Sequence, residues 1–254
     1  MRLLKRLLNT KKGGPPRPYT GAVIVAAGAS RRMEGTDKLL VSLGGIPVVL
    51  HSIRAFETNP FIDEIVVVTR PDLIVEIGGL CRSHSIEKVK SVIRGGDKRS
   101  QSVFRGIMEL SDRAEYIAVH DGARPLVSEK VISNTVKAAY IYGCAIPAVS
   151  ASDTIKTAEN GKIMGTPERK KLYAAQTPQV FKSELIKAGL TRAQEEDIEL
   201  TDDSMAVELL GAYIRIVEGS PENIKLTYPT DIITAEAILE KRFASEFGMG
   251  GGLL

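Results

Sequence analysis

The sequence predicts an α/β fold: a mostly parallel twisted sheet with helices on both faces and a projecting β-hairpin arm. Three observations carry this. Short runs rich in Val and Ile recur along the chain without strict alternation, the pattern of strands buried on both faces. Stretches with helical spacing separate them, and strand–helix alternation implies parallel strands joined by covering helices. One segment breaks that order, around Asn160-Gly161, and has few apolar residues of its own.

Taken in order, strands are expected over 22–27, 64–69, 90–94, 116–120, 144–149 and 213–217. Helices are expected over 47–58, 99–110, 128–142, 182–188, 202–210 and 230–243. Pro47 suits a first helical turn, Gly189 a helix stop, and Ser128 and Thr230 the N-cap position. Between 153 and 164, Asn160-Gly161 is a strong hairpin signal. Such a hairpin cannot make a core alone, so an arm over 151–166 is expected to pack on a second copy of the chain. Residues 21–245 read as a single domain. Residues 1–20, with six Lys or Arg and no acid, read as a disordered basic tail, and 246–254 as a flexible Gly-rich tail.

With 43% apolar and 26% charged residues the chain has ordinary globular composition. A net charge of +3 does not argue for nucleic acid. No run reaches the roughly 20 apolar residues of a membrane span, so no stable insertion is expected. Cys81 and Cys144 form no CxxC pair and read as reduced thiols of a cytoplasmic protein. His51, His84 and His120 show no zinc-ligand spacing.

Chemistry concentrates in loops that follow strands. After the first comes Ala26-Ala27-Gly28-Ala29-Ser30-Arg31-Arg32-Met33, with Lys38 nearby. Small residues admit a ligand to the backbone, and three cations suit a polyphosphate. The loop lacks both GxGxxG and GxxxxGK[ST], so dinucleotide and P-loop readings weaken. After the third strand, Gly95-Gly96-Asp97-Lys98-Arg99-Ser100-Gln101-Ser102 brings donors and acceptors fit to read a pyrimidine edge; alternatively, Asp97 or Ser100 caps the next helix. After the fourth, His120-Asp121-Gly122-Ala123-Arg124-Pro125 offers Asp121 as a ligand for phosphate-bound Mg²⁺ and Arg124 as a phosphate fork, with His120 read as a satisfied buried imidazole. After the last, Asn223 supplies a neutral oxygen ligand and Lys225 a point charge. Asp202 and Asp203 read as first-turn acids of a helix.

These motifs, with Thr177-Pro178-Gln179 and Asn223-Ile224-Lys225, closely resemble the 2-C-methyl-D-erythritol 4-phosphate cytidylyltransferase family over about residues 21–240. The resemblance implies a nucleotide-diphospho-sugar transferase fold that moves CMP from CTP to a polyol phosphate in non-mevalonate isoprenoid synthesis, with Mg²⁺ or another divalent cation. It implies that Ala26, Ala27 and Gly28 meet the nucleotide and that Gly96, Asp97 and Ser102 recognise cytosine. Arg32 and Lys38 would stabilise the transition state, while Arg169 and Lys225 position the sugar-phosphate. Asp121, Gly122, Arg124, Thr154, Thr177 and Thr201 fall in the substrate-binding set. The arm would make a homodimer and lend residues to the partner's site. Two departures stand out: Asp37-Lys38-Leu39 replaces the usual proline and glutamine around the lysine, in a shortened loop, and Gly122 replaces a common alanine. A ribitol 5-phosphate cytidylyltransferase shares most of these motifs; a non-catalytic CTP sensor is the more remote reading.

Overall fold

The computed structural model describes residues 17–28 and 37–246. Arg31, Arg32 and Met33, and the tail residues 1–16 and 247–254, lie outside the described residues.

The chain runs β1 (Thr20–Ala26), β2 (Ser42–Leu43), β3 (Ile46–Pro47), α1 (Val48–Glu57), β4 (Glu64–Thr69), α2 (Ile74–Ser83), β5 (Val89–Arg94), α3 (Arg99–Glu109), β6 (Tyr116–Asp121), α4 (Glu129–Tyr142) and β7 (Cys144–Ser150). There follow β8 (Thr157–Glu159), β9 (Lys162–Gly165), β10 (Tyr173–Ala175), β11 (Gln179–Lys182), α5 (Ser183–Glu195), α6 (Asp203–Glu208), β12 (Arg215–Glu218) and α7 (Pro229–Glu246). The main sheet is ordered β10-β7-β11-β6-β1-β4-β5, with β12 also paired to β7. β1 lies parallel to β4 and β6, β4 to β5, and β12 to β7, whereas β10 and β11 run against their neighbours. The carboxyl ends of β1, β4, β5 and β6 therefore open on one edge, where such sheets bind ligands.

β1 shows why its apolar run is unbroken. Ala22, Ile24 and Ala26 face a core built with Val49, Ile53 and Phe56 of α1 and Ile132 and Val136 of α4. Val23 faces the opposite core, with Val103 and Ile107 of α3 and Ile186 and Leu190 of α5. Each fully buried side chain of this size stabilises the fold by about 1.5–3 kcal/mol.

Several boundaries differ from expectation for physical reasons. Arg17 to Thr20, expected in the tail, belong to the fold: the Arg17 guanidinium donates to both oxygens of Asp63 at 2.7 Å, and Thr20 opens β1. Pro47 occupies the N-cap position of α1, just before its first turn. Thr230 is no cap, because α7 already starts at Pro229 and the Asp231 carboxylate accepts the N–H groups of Thr227 and Tyr228. Ser128 does cap α4, accepting the Val131 N–H. Gly189 does not stop α5 but lies within it. A Cβ there would stand 2.3 Å from the Ala206 carbonyl oxygen, so the glycine exists to let α6 approach. α2 escapes sequence reading because it buries Ile77 and Cys81 and carries Gly78-Gly79 in its middle.

The hairpin forms as β8 and β9, joined by Asn160 at φ 49° and Gly161 at φ 77°, the positive pair its turn needs. It is narrower than expected, since residues 153–156 are not strand. Ile163 and Met164 are exposed on it. Among the described residues, no helix is long and apolar enough to cross a membrane. Cys81 and Cys144 are free thiols, both buried.

Candidate active site

A cleft of about 470 Å³ opens at the carboxyl edge of the sheet. One wall is the end of β1, with Ala26, Ala27 and Gly28, followed by Lys38 and Leu39. The loop from β5 into α3 supplies Gly96, Asp97, Lys98, Arg99 and Ser102; Asp121 and Ala123 come from β6, and Lys225 from the segment after β12.

The β5–α3 loop is held from beneath. Ser102 is buried, and its hydroxyl oxygen accepts the Gly96 N–H at 3.0 Å. A Cβ on Gly95 would come 2.5 Å from the Ala27 Cβ and 2.7 Å from the Ser102 Oγ, so glycine lets the two cleft-lining loops touch. The Arg105 guanidinium donates to the Gly95 carbonyl at 2.6 Å. Neither Asp97 nor Ser100 caps α3. The Gln101 Oε1 accepts the Asp97 and Lys98 N–H groups instead, and Asp97 stands exposed on the cleft.

Asp121 is the electrostatic centre. Its Oδ1 accepts from the Arg99 Nη2 at 3.0 Å, while Oδ2 lies 2.9 Å from the Lys225 Nζ and 3.6 Å from the Arg124 Nε. Burial alone would raise its pKa, but Arg99, Lys225 and Arg124 together hold the carboxyl far below the usual range. Arg99 also meets Asp203 with both terminal nitrogens, at 2.7 and 2.8 Å. Burial opposes the charge of Arg99, but Asp203 and then Asp121 outweigh it and keep the guanidinium protonated.

Behind Asp121 runs a fixed chain of hydrogen bonds. The Asp121 N–H donates to the Thr177 Oγ1 at 3.1 Å, and this hydroxyl lies 3.0 Å from the His120 Nδ1. The His120 Nε2 lies 3.3 Å from the Arg124 carbonyl, which can only accept. The proton therefore sits on Nε2, and Nδ1 accepts from Thr177. Burial pushes the His120 pKa down to about 3, so the imidazole is neutral; it is buried with both nitrogens engaged, as the sequence reading has it.

Asn223 and Arg124 are placed differently from expectation. The Asn223 amide donates to the Thr177 carbonyl at 3.0 Å and to the Gln176 Oε1 at 3.3 Å, tying the loop after β12 to the segment before β11. Its Oδ1 is buried and does not line the cleft, and both Asp121 oxygens already face cations. The pair does not fit a protein-held magnesium site, and among the described residues no cluster of three or more His, Cys, Asp or Glu could hold a metal ion. Arg124 is no open phosphate fork: its Nη1 donates to the Asn223 carbonyl at 2.8 Å and its side chain is largely buried.

The structure thus gathers Ala26, Ala27, Gly28, Lys38, Gly96, Asp97, Ser102, Asp121 and Lys225 on one cleft. Gly122, Arg124 and Thr177 stand in the layer behind it. Thr154, Arg169 and Thr201 are exposed and not in its lining; Arg169 donates to the Ser152 carbonyl at the base of the arm. Sequence reading missed Arg99 and Asp203 as partners. Arg99 was visible within the Gly-rich motif, but its pairing with an acid 104 residues away leaves no local signal.

The 2-C-methyl-D-erythritol 4-phosphate cytidylyltransferase family model matches residues 20–241. An enzyme of that name from Caldanaerobacter subterraneus subsp. tengcongensis is 44% identical over 227 residues, covering 87% of this chain and 98% of its own. One from Syntrophus aciditrophicus is 37% identical over 228 residues, 89% and 97% of the two chains. Among solved structures, 4-diphosphocytidyl-2C-methyl-D-erythritol synthase from Anaerococcus prevotii superposes with a TM-score of 0.79 at 30% identity, covering 87% of this chain and 96% of that one. With that match spanning the sheet and the residues that line the cleft, the chain belongs to the 2-C-methyl-D-erythritol 4-phosphate cytidylyltransferase family.

Proposed function

We propose that this chain transfers CMP from CTP to 2-C-methyl-D-erythritol 4-phosphate, releasing pyrophosphate, in non-mevalonate isoprenoid precursor synthesis. The observation that carries the reading is one cleft lined by Lys38, Arg99 and Lys225, where Arg99 and Lys225 meet an ionised Asp121, together with the close-approach backbone of Ala26–Gly28. A phosphate oxygen of the acceptor attacks the α-phosphorus of CTP, and the bond to pyrophosphate breaks. The attacking monoester has a second pKa of about 6, so it needs no general base near neutrality. This agrees with a neutral His120 whose two nitrogens are already engaged. What remains is to bring anions together and stabilise the charge that develops, which is positioning and electrostatics.

In this reading Gly96, Asp97 and Ser102 form the cytosine side, and the charges of Arg32 and Lys38 stabilise the transition state. Lys225 leaves Asp121 for the acceptor phosphate. Arg169 and Thr154 act from the arm of a second copy, which accords with the exposed Ile163 and Met164 on that arm. A divalent cation, magnesium foremost, enters with the triphosphate. A cytoplasmic setting accords with two buried free thiols. The test incubates the full chain with CTP, Mg²⁺ and either 2-C-methyl-D-erythritol 4-phosphate or ribitol 5-phosphate and follows pyrophosphate. Release with the first acceptor at the higher kcat/KM is the expected result; preference for the second would reassign the substrate.

A further inference from the structure

We infer that Asp203 is a positioning residue for the acceptor half of the cleft, acting through Arg99 on Asp121; this rests on the function proposed above. Asp203 is 1% exposed and does not line the cleft, so it reaches substrate through Arg99. The guanidinium has two edges in use. Nη1 and Nη2 close on the two oxygens of Asp203, while Nε and Nη2 meet the single Oδ1 of Asp121 at 3.3 and 3.0 Å. A fork held along one edge cannot rotate. It therefore fixes Asp121 so that Oδ2 alone stays with Lys225, the cation that must exchange onto an incoming phosphate.

A plain structural pin explains less. α6 is already secured, because Asp202 caps it through the Met205 N–H and the Gln179 Oε1 accepts the Ser204 N–H. Its backbone also packs into the gap left by Gly189. Removing the Asp203 charge leaves those bonds in place. It frees Arg99 to turn and leaves Arg99, Arg124 and Lys225 facing one carboxylate.

The experiment is steady-state kinetics of Asp203→Asn and Arg99→Lys with each substrate varied in turn, alongside thermal unfolding. For Asp203→Asn the acceptor KM is expected to rise about tenfold or more, with the CTP KM within about twofold, since a displaced positioning group costs ten- to a hundredfold. Arg99→Lys is expected to show the same split, because one ammonium cannot hold two carboxylates in a fixed plane. An unchanged acceptor KM, parallel rises in both KM values, or full rescue by lysine overturns the inference. A wild-type chain that turns over CTP with neither acceptor overturns the function proposed, and the inference with it.

Discussion

The cleft wall and the hairpin arm are built on opposite plans. At the cleft, charge is answered within the chain: Asp121 faces three cations, Arg99 faces two carboxylates, and Ser102 and Gln101 hold the loop backbone. On the arm, β8 and β9 pair with each other, and Ile155, Ile163 and Met164 face outward at 44%, 68% and 64% exposure. Two short strands are marginal alone. Among the described residues, the charges of the wall are answered within one chain, whereas the arm leaves apolar side chains uncovered.

The sharpest break of that comparison is Lys38→Ala. If the cleft is the reacting centre, kcat should fall at least about a hundredfold with unfolding unchanged, the scale of losing one preorganised charge contact. Near-normal turnover would remove Lys38 from the chemistry. The arm is tested by mixing. Arg169→Ala should impair acceptor use, yet when mixed in equal amount with Lys38→Ala and allowed to exchange subunits it should recover about a quarter of wild-type activity, because about half of the dimers are then mixed and one of the two sites in each is intact. No recovery on mixing would place Arg169 in its own chain's site.

A smaller effect separates the two regions by pH. The His120 pKa is lowered to about 3 by burial, so the folded state refuses a proton that the unfolded chain accepts below about pH 6.5. Stability should therefore fall as pH drops from about 6.5 towards 3, with His51, also lowered by burial, acting in the same direction. Asp121, held ionised by its cations, adds a further loss below about pH 4. Urea midpoints at pH 8 and 5 should show the decline, and His120→Gln should flatten it. The smallest change is Gly161→Ala. At φ 77° the new side chain is strained, and unfolding should shift by about 1 kcal/mol while kcat stays put; a larger loss would mean the arm supports the domain core.

How much of this was legible in the sequence follows from how local each signal is. Strand 64–69 was readable to the residue because EIVVVT is buried throughout. Ser128 and Asn160-Gly161 were readable because caps and turns are written in neighbouring residues. β10 and β11 were not, being three and four residues long and defined by partners in β6 and β7. Gly189 was misread because a glycine that ends a helix and one that admits a second helix look the same in one dimension. At the site, the loops and their charges were visible, but not who pairs with whom. Asp203 is the first-turn acid that the sequence predicts, but its distant partner Arg99 was not readable, and Asn223 looked like a metal ligand until Gln176 was in place.

The contact of Gly95 with Ala27 and Ser102 has a practical corollary. A single added methyl group would wedge two loops apart, so on the function proposed above, libraries aimed at changing nucleobase preference should return glycine at 95. Their productive variation should gather at Asp97, whose side chain already stands in the opening.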